Sequence, residues 1–268
     1  MRLFVVKAGG RALERNIDGI LRSLAERALK GMKLIFVHGG GDVVSRYEKL
    51  MGMEPRFVVS PQGIRSRYTD ERELEVYVMV MAGKLNKEIV AKLQGLGAKA
   101  IGLSGADGGL LKAQRKKKIV IIDERGRKRA IPGGYTGSIK EVNTEILKNL
   151  LDQGYLTVIA PIALGSEYEL LNVDADQAAA SIAKALKVEK LLILTDVEGV
   201  IVDEKLVEEI KIGDVGELQS KIGVGMNRKV LMCAKAVSEG VGSAIISSGL
   251  MEDPLSALER KVGTKITP

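Results

Sequence analysis

Four lysine or arginine positions, Lys7, Arg65, Arg67 and Lys229, lie within a few residues of glycines or acids in this chain, and that pattern is suited to handling an anion. Lys7 closes the apolar run Leu3-Phe4-Val5-Val6 and is followed at once by Ala8-Gly9-Gly10. A lysine after a strand is commonly just solvated, but one beside a glycine turn can meet a phosphate as a point charge. A second glycine turn, His38-Gly39-Gly40-Gly41, follows the run Lys33 to Val37 and leads to Asp42, which can cap a helix. Glycines there let backbone approach a ligand and turn several N–H groups the same way at a helix's positive end, although a tight strand-to-helix turn accounts for the same spacing. Lys229 falls in the first turn of the helix expected after Ile222-Gly223-Val224-Gly225, against the dipole preference, which points to a bound anion. Asn172, Asp174 and Asp176 alternate where a strand gives way to an Ala-rich helix, and capping needs only one of them. Arg65 and Arg67 lie in a loop entering another helix, where either a bidentate carboxylate clamp or a surface ion pair fits.

The elements that must position these groups are strands and helices in alternation. Leu3–Val6 and Leu34–Val37 read as buried strands, each followed by glycines and an amphipathic helix, and a parallel sheet would bring both turns to one carboxyl edge. Residues 57–70 read as irregular, and a long helix begins at Glu71, with Leu74, Val78, Met81, Leu85, Ile89, Leu93 and Leu96 near one face. Further strands are expected at 100–103, 156–160, 168–171 and 191–194, the last ending at Thr195-Asp196, with helices around 146–151 and from Asn172 to about Leu186. A soft boundary falls near Leu164-Gly165, giving lobes 1–165 and 166–268.

Between them lies the most basic tract of the chain. Lys112, Arg115, Lys116, Lys117 and Lys118 precede Ile119-Val120-Ile121-Ile122, and Arg125, Arg127, Lys128 and Arg129 follow, so a hairpin over 112–129 with cationic shoulders is expected. The tract holds nine of the 41 basic residues and, in Asp123 and Glu124, two of the 34 acidic ones, so the whole formal excess of +7 resides there. Such a run serves either as a solvated face or as a docking surface for an acidic partner. Aromatics are 3% with no Trp, which argues against a stacking platform for nucleic acid. One cysteine, Cys233, and one histidine, His38, exclude an internal disulfide and a His/Cys metal cluster, so a metal would come by carboxylates or with a nucleotide. No stretch has the roughly 18 apolar residues of a membrane span, and the chain reads as cytoplasmic with no membrane partner.

Lys7-Ala8-Gly9-Gly10, His38-Gly39-Gly40-Gly41, Asn172-Val173-Asp174-Ala175-Asp176, Thr195-Asp196-Val197-Glu198-Gly199 and Gly225-Met226-Asn227-Arg228-Lys229 together resemble the motif set of the amino acid kinase family, in order and over essentially the whole chain. The resemblance implies an open αβα sandwich around a mainly parallel sheet, with the amino acid on the N-terminal lobe and ATP on the C-terminal lobe. Carried over motif by motif, Lys7 and Lys229 would stabilise the transferring phosphoryl group and Asp176 would hold both. Gly40 and Gly41 would donate N–H groups to the substrate, Arg67 would clamp its α-carboxylate, and Asn172 would fix the amide of its acylated amino group. Gly9 and Gly10 would line the phosphates, Thr195 and Asp196 would border the nucleotide, and Mg²⁺ would accompany ATP.

Within the family the chain is similar to acetylglutamate kinase but departs from it at Gly63-Ile64-Arg65-Ser66-Arg67-Tyr68-Thr69-Asp70, two residues longer than the usual run. That variant resembles the branch acting on glutamate or 2-aminoadipate attached to the acidic amino-group carrier protein LysW, in lysine and arginine synthesis. The resemblance implies docking of that carrier on the basic tract through Lys116, Lys117, Arg127 and Lys128, with Arg65 competing with Arg67 for the carboxylate. It also implies a homodimer without arginine feedback, because the chain starts at its first strand. The rival expectations are action on free acetylglutamate, a nucleotide sensor without catalysis, and a nucleic-acid-binding module.

Overall fold

The structure, a computed structural model, describes residues 2–219 and 221–268. Strand β1 (Leu3–Ala8) runs through Gly9 into helix α1 (Gly10–Leu29), and β2 (Lys33–His38) runs through the second glycine turn into α2 (Gly41–Leu50). Helix α1 is kinked at Asn16 (φ −149°, ψ 45°), whose Nδ2 donates to the carbonyls of Gly249 at 2.8 Å and Met251 at 2.9 Å, tying the first helix to the far end of the chain.

The stretch expected to be irregular holds a small antiparallel hairpin, β3 (Phe57–Val59) with β4 (Arg65–Arg67). Its strands have three residues each and its second strand is polar, so no hydrophobic alternation announces it. The long helix starts as α3 (Glu71–Val78), with Asp70 and Glu73 forming a reciprocal cap. It widens into a π-helical turn at Met79–Leu85 and continues as α4 (Asn86–Gly95). That turn brings Met81 and Leu85 against the glycine loop, where a Cβ on Gly40 would lie 2.3 Å from Leu85 Cδ1. A larger residue there would have to displace the Leu85 and Met81 side chains.

Next come β5 (Ala100–Ser104), β6 (Leu111–Arg115), β7 (Lys118–Ile122), β8 (Lys128–Pro132), β9 (Gly137–Val142), α5 (Thr144–Asp152), β10 (Leu156–Ala160), β11 (Ile162–Leu164) and β12 (Leu170–Asn172). The basic tract is therefore divided, where one hairpin over 112–129 was expected. Lys112 and Arg115 belong to β6, which pairs with β9 in a four-stranded sheet of order β12-β11-β6-β9, and the hairpin itself is β7–β8. The division falls at Lys116 and Lys117. There the N–H of Lys116 donates to Thr136 and the carbonyl of Lys117 accepts from Gly133, an approach so close that a Cβ on Gly133 would overlap the Lys116 carbonyl.

The remainder comprises α6 (Ala175–Leu186), β13 (Lys190–Thr195), β14 (Ile201–Val202), β15 (Lys205–Leu206), β16 (Glu209–Lys211), α7 (Val215–Leu218), α8 (Val224–Ser238), β17 (Ser243–Ser248) and β18 (Thr264–Thr267). The main sheet has eight strands in the order β16-β18-β17-β13-β1-β2-β10-β5, parallel except between β17 and β18. Alternation along its strands fills two cores. Val5, Ile35, Val37, Ile159 and Ile193 face α5, α6 and α8, while Phe4, Val6, Phe36, Val158 and Leu192 face α1 and α4. This is the αβα sandwich with a mainly parallel sheet that the motifs led one to expect. The sheet runs unbroken across residue 165, because β1 pairs with β13 from Phe4–Lys190 to Ala8–Leu194.

Candidate active site

The pairing of β2, β1 and β13 sets His38, Ala8 and Leu194 side by side, so both glycine turns and Thr195-Asp196 emerge at one carboxyl edge. The turns touch: a Cβ on Gly10 would lie 3.4 Å from the Gly40 nitrogen. Gly9 and Gly40 occupy the N-cap positions of α1 and α2, and neither helix has a side-chain cap, which leaves backbone N–H groups turned toward the edge.

Lys7 points across this edge to Asp176 in the first turn of α6, with Nζ 2.7 Å from Oδ1. Lys229 lies in the second turn of α8, one turn further in than expected because the helix already starts at Val224, and it hydrogen-bonds the other carboxylate oxygen, Oδ2. Lys7 and Asp176 are 6% and 7% exposed, so the two cations are oriented by a carboxylate that water hardly reaches. Burial pushes the Asp176 carboxyl upward, and the two lysines more than reverse this, leaving it well below the usual carboxylate range. The cluster keeps one net positive charge. A Cβ on Gly9 would sit 3.5 Å from Lys7 Nζ, so an anion cradled by this turn meets the ammonium directly. Thr195 donates to Asp196 Oδ1 at 3.1 Å, and Asp196 lies 3.5 Å from Arg11, which is the next side chain after the first glycine turn.

A groove of roughly 920 Å³ opens beside the second glycine turn, between the β3–β4 and β7–β8 hairpins. Gly40 and Gly41 form its floor. Asn172 lines one wall, its Nδ2 donating to Thr69 Oγ1 at 2.8 Å, which turns its amide oxygen to other partners. Arg67 is held inside the protein: Nη1 donates to Glu48, and Nη2 to the Gly41 carbonyl at 2.9 Å and Ser45 Oγ at 2.5 Å. Arg65, two residues away on the same strand, lies over the Phe57 ring at 3.7 Å with no ion-pair partner among the described residues. Lys116 and Lys128 line the groove; Lys117 is exposed outside it, and Arg127 closes the hairpin turn on Asp123 at 3.1 Å. A separate cavity of about 360 Å³ lies at the opposite edge of the sheet, between Lys190 and Lys265, and contains none of the sequence-predicted site residues.

Several groups at the site carry no motif signal. Glu48 is fully buried behind Arg67, and the one hint was an acid on the apolar stripe of α2, four residues after Val44. Asp174 pairs with Arg228 at 3.1 Å, joining the starts of α6 and α8 at the groove's rim. No grouping of three His, Cys, Asp or Glu side chains suited to a metal occurs among the described residues.

The chain belongs to the amino acid kinase family, whose profile matches residues 2–248. Over 265 residues it is 50% identical to the LysW-aminoadipate/LysW-glutamate kinase of Saccharolobus islandicus (strain Y.N.15.51 / Yellowstone #2), covering 98% of this chain and 99% of that one. The protein of the same name from Sulfurisphaera tokodaii is 51% identical, with 98% and 100% covered. Among solved structures, carbamate kinase from Giardia lamblia bound to AMP-PNP superposes with a TM-score of 0.69 at 17% identity over 99% of this chain and 98% of that one, which speaks to the fold alone.

Proposed function

We propose that this chain is an ATP-dependent kinase that phosphorylates the side-chain carboxylate of 2-aminoadipate or glutamate carried on LysW, in lysine and arginine synthesis. The observation that carries the reaction is the convergence of Lys7 and Lys229, from opposite halves of the chain, on one buried carboxylate beside two touching glycine turns. The carrier-borne substrate rests on the names of the relatives at 50% identity over nearly full length.

In this reading the acyl substrate belongs to residues 1–165 and the nucleotide to residues 166–268, with the first glycine turn between them. Gly9 and Gly10 face the phosphates, Thr195 and Asp196 border the nucleotide, and Mg²⁺ comes with ATP and neutralises phosphate charge. The substrate's side-chain carboxylate is ionised at neutral pH and needs no base. Its oxygen forms a bond to the γ-phosphorus while the bond from that phosphorus to the β–γ bridging oxygen breaks, giving an acyl phosphate and ADP. Lys7 and Lys229 meet the charge gathering on the phosphoryl oxygens, and Asp176 fixes both ammoniums in advance, so little reorganisation is needed. Gly40, Gly41 and Asn172 face the acyl group, with Arg67 behind them. Lys116, Lys117, Arg127 and Lys128 belong to the face offered to the acidic carrier.

The reading carries a cytoplasmic homodimer. Leu50 and Met51 at the end of α2 and Met79 on the adjoining long helix are exposed apolar side chains suited to a second copy. Among the described residues, no helix is long and apolar enough to cross a membrane. The deciding assay compares ATP turnover with carrier-linked glutamate, carrier-linked aminoadipate and free acetylglutamate, trapping the acyl phosphate with hydroxylamine. Hydroxamate from the carrier-linked substrates is the expected result. Efficient turnover of free acetylglutamate alone would transfer the chain to the acetylglutamate kinases.

A further inference from the structure

The two lysines reach Asp176 from supports of unequal firmness. Lys7 is set in β1, which is hydrogen-bonded to β2 on one side and β13 on the other, and its neighbours Val6 and Ala8 are fully buried. Lys229 belongs to the outer part of α8. Ile222 before that helix and Val230 within it are buried, but none of the six residues from Val224 to Lys229 is, and the N-cap, Gly223, brings no side-chain cap. The Lys229 side chain is accordingly 22% exposed, against 7% for Lys7.

Among the described residues, the polar side-chain ties of this six-residue stretch are two ion pairs to the facing helix, and they run in register. Lys229 meets Asp176, and Arg228, one residue earlier, meets Asp174, two residues earlier on α6, with Nη2 3.1 Å from Oδ2. The other oxygen of Asp174, Oδ1, accepts from the Gln177 N–H at 2.9 Å and caps α6. One carboxylate thus starts the helix that carries Asp176 and holds the helix that carries Lys229. Capping alone would use one of its oxygens. The Arg228 and Asp174 side chains are 33% and 36% exposed, so water screens the pair and it adds little to overall stability. Its value is geometric, because a small displacement of a charged group from the reacting atoms costs far more in rate than such a pair contributes to folding.

We infer that Asp174 and Arg228 are positioning residues that clasp the start of α8 to the start of α6 and so fix Lys229 at the reaction centre, a support that Lys7, set in the sheet, does not need. This inference rests on the kinase reading of the proposed function. Both residues also line the groove, so direct contact with the acyl substrate is the competing outcome of the test.

The test uses the full chain with ATP and carrier-linked glutamate, read as hydroxamate. Asp174→Asn keeps an oxygen to cap α6 and removes the charge that holds Arg228. This variant and Arg228→Ala should each lower kcat about tenfold or more, with KM for ATP and for carrier-linked glutamate changing by no more than about threefold and the urea unfolding midpoint nearly unmoved. The double variant should lose no more than either single one, since both break the same clasp. In a Lys229→Met background, Asp174→Asn should cost less than about twofold, because the group it positions is gone. Asp174→Asn carries the test where Arg228→Ala does not fold. A kcat within about twofold of the unaltered enzyme in both single variants, losses that multiply in the double variant, a loss that persists without Lys229, or a larger rise in KM for the carrier-linked substrate overturns the clasp while leaving the kinase reading intact. Absence of hydroxamate from carrier-linked substrates with the unaltered enzyme overturns that reading and the inference with it.

Discussion

At the sheet edge, Lys7 and Lys229 share one buried carboxylate, and their positions follow from long elements: a six-residue strand and two helices of 12 and 15 residues. In the groove, Arg65, Lys116 and Lys128 line the wall without an acidic partner among the described residues, on or beside strands of three to five residues. The first arrangement suits charge that develops at one point within a reaction, where donors fixed in advance are worth most. The second suits a charged surface that arrives from solution and must be captured in many orientations. Rigidity and partnering distinguish the two sites more than the number of cations does.

The largest effect should come from breaking the rigid centre. Lys7→Met or Lys229→Met should lower kcat about 10²- to 10³-fold, with the KM for ATP changing by no more than about threefold. Single-turnover and steady-state kinetics separate the two parameters. A kcat within about threefold of the unaltered enzyme in both variants would remove these lysines from the chemistry.

The groove should yield a smaller and salt-dependent effect. Reversing Lys116 and Lys128 to Glu should lower kcat/KM for a carrier-borne substrate about 10- to 100-fold and flatten its dependence on ionic strength, because screening at 0.15 M salt acts beyond about 8 Å. Reversing Lys117 and Arg127 sharpens the comparison. Lys117 lies outside the groove and Arg127 is engaged by Asp123 in the turn, so this pair should cost clearly less. Equal losses from the two pairs would mean that the carrier reads total charge on the hairpin, with no contribution from the groove's geometry.

The same contrast explains what the sequence made legible. Buried strands such as Leu34–Val37 and Leu191–Leu194 are unbroken apolar runs, and the glycine turns and Lys7 lie at their ends, so an edge carrying all of them follows from the pattern alone. Asp176 between two lysines could not be deduced from spacing, since its partners lie 169 and 53 positions away; it came from resemblance, and the structure brings the three together. The β3–β4 hairpin escaped notice because three-residue strands carry too little periodicity. Glu48 escaped because an acid on a helix reads as a solvated residue until its neighbours are known. The π-helical turn at Met79–Leu85 changes the phase of the long helix, so of the expected face Met81, Ile89 and Leu93 are buried, whereas ahead of the turn Val76 and Tyr77 face inward in place of Leu74 and Val78, and Leu96 is exposed at the far end.

The smallest effect concerns the support under the rigid centre. His38, at the end of β2, is fully buried directly before the second glycine turn, with Nδ1 3.1 Å from the Gly39 carbonyl and Nε2 3.4 Å from Asn86 Nδ2. A neutral imidazole with its proton on Nδ1 donates to Gly39 and accepts from Asn86, whereas a charged one would turn a second N–H toward the Asn86 donor. Burial pushes the His38 pKa down from 6.5 to about 4, the Gly39 carbonyl works against that shift, and nearby Lys87 adds to it. Between these two values the unfolded chain binds the extra proton and the folded one does not, so this histidine makes the protein less stable as pH falls from about 6.5 toward 4. From pH 7 to 5.5 the expected loss is about 1 kcal/mol. Glu48, whose pKa burial raises and Arg67 only partly restores, contributes in the opposite sense, and Asp176 matters only at lower pH, so the comparison must be made between variants. His38→Gln keeps a neutral polar side chain and should flatten the slope of stability against pH in urea unfolding between pH 7 and 5.5, whatever its effect at pH 7. An unchanged slope would mean that His38 takes up its proton without disturbing the turn, and that the glycine floor is held by Arg67 and the π-helical packing alone.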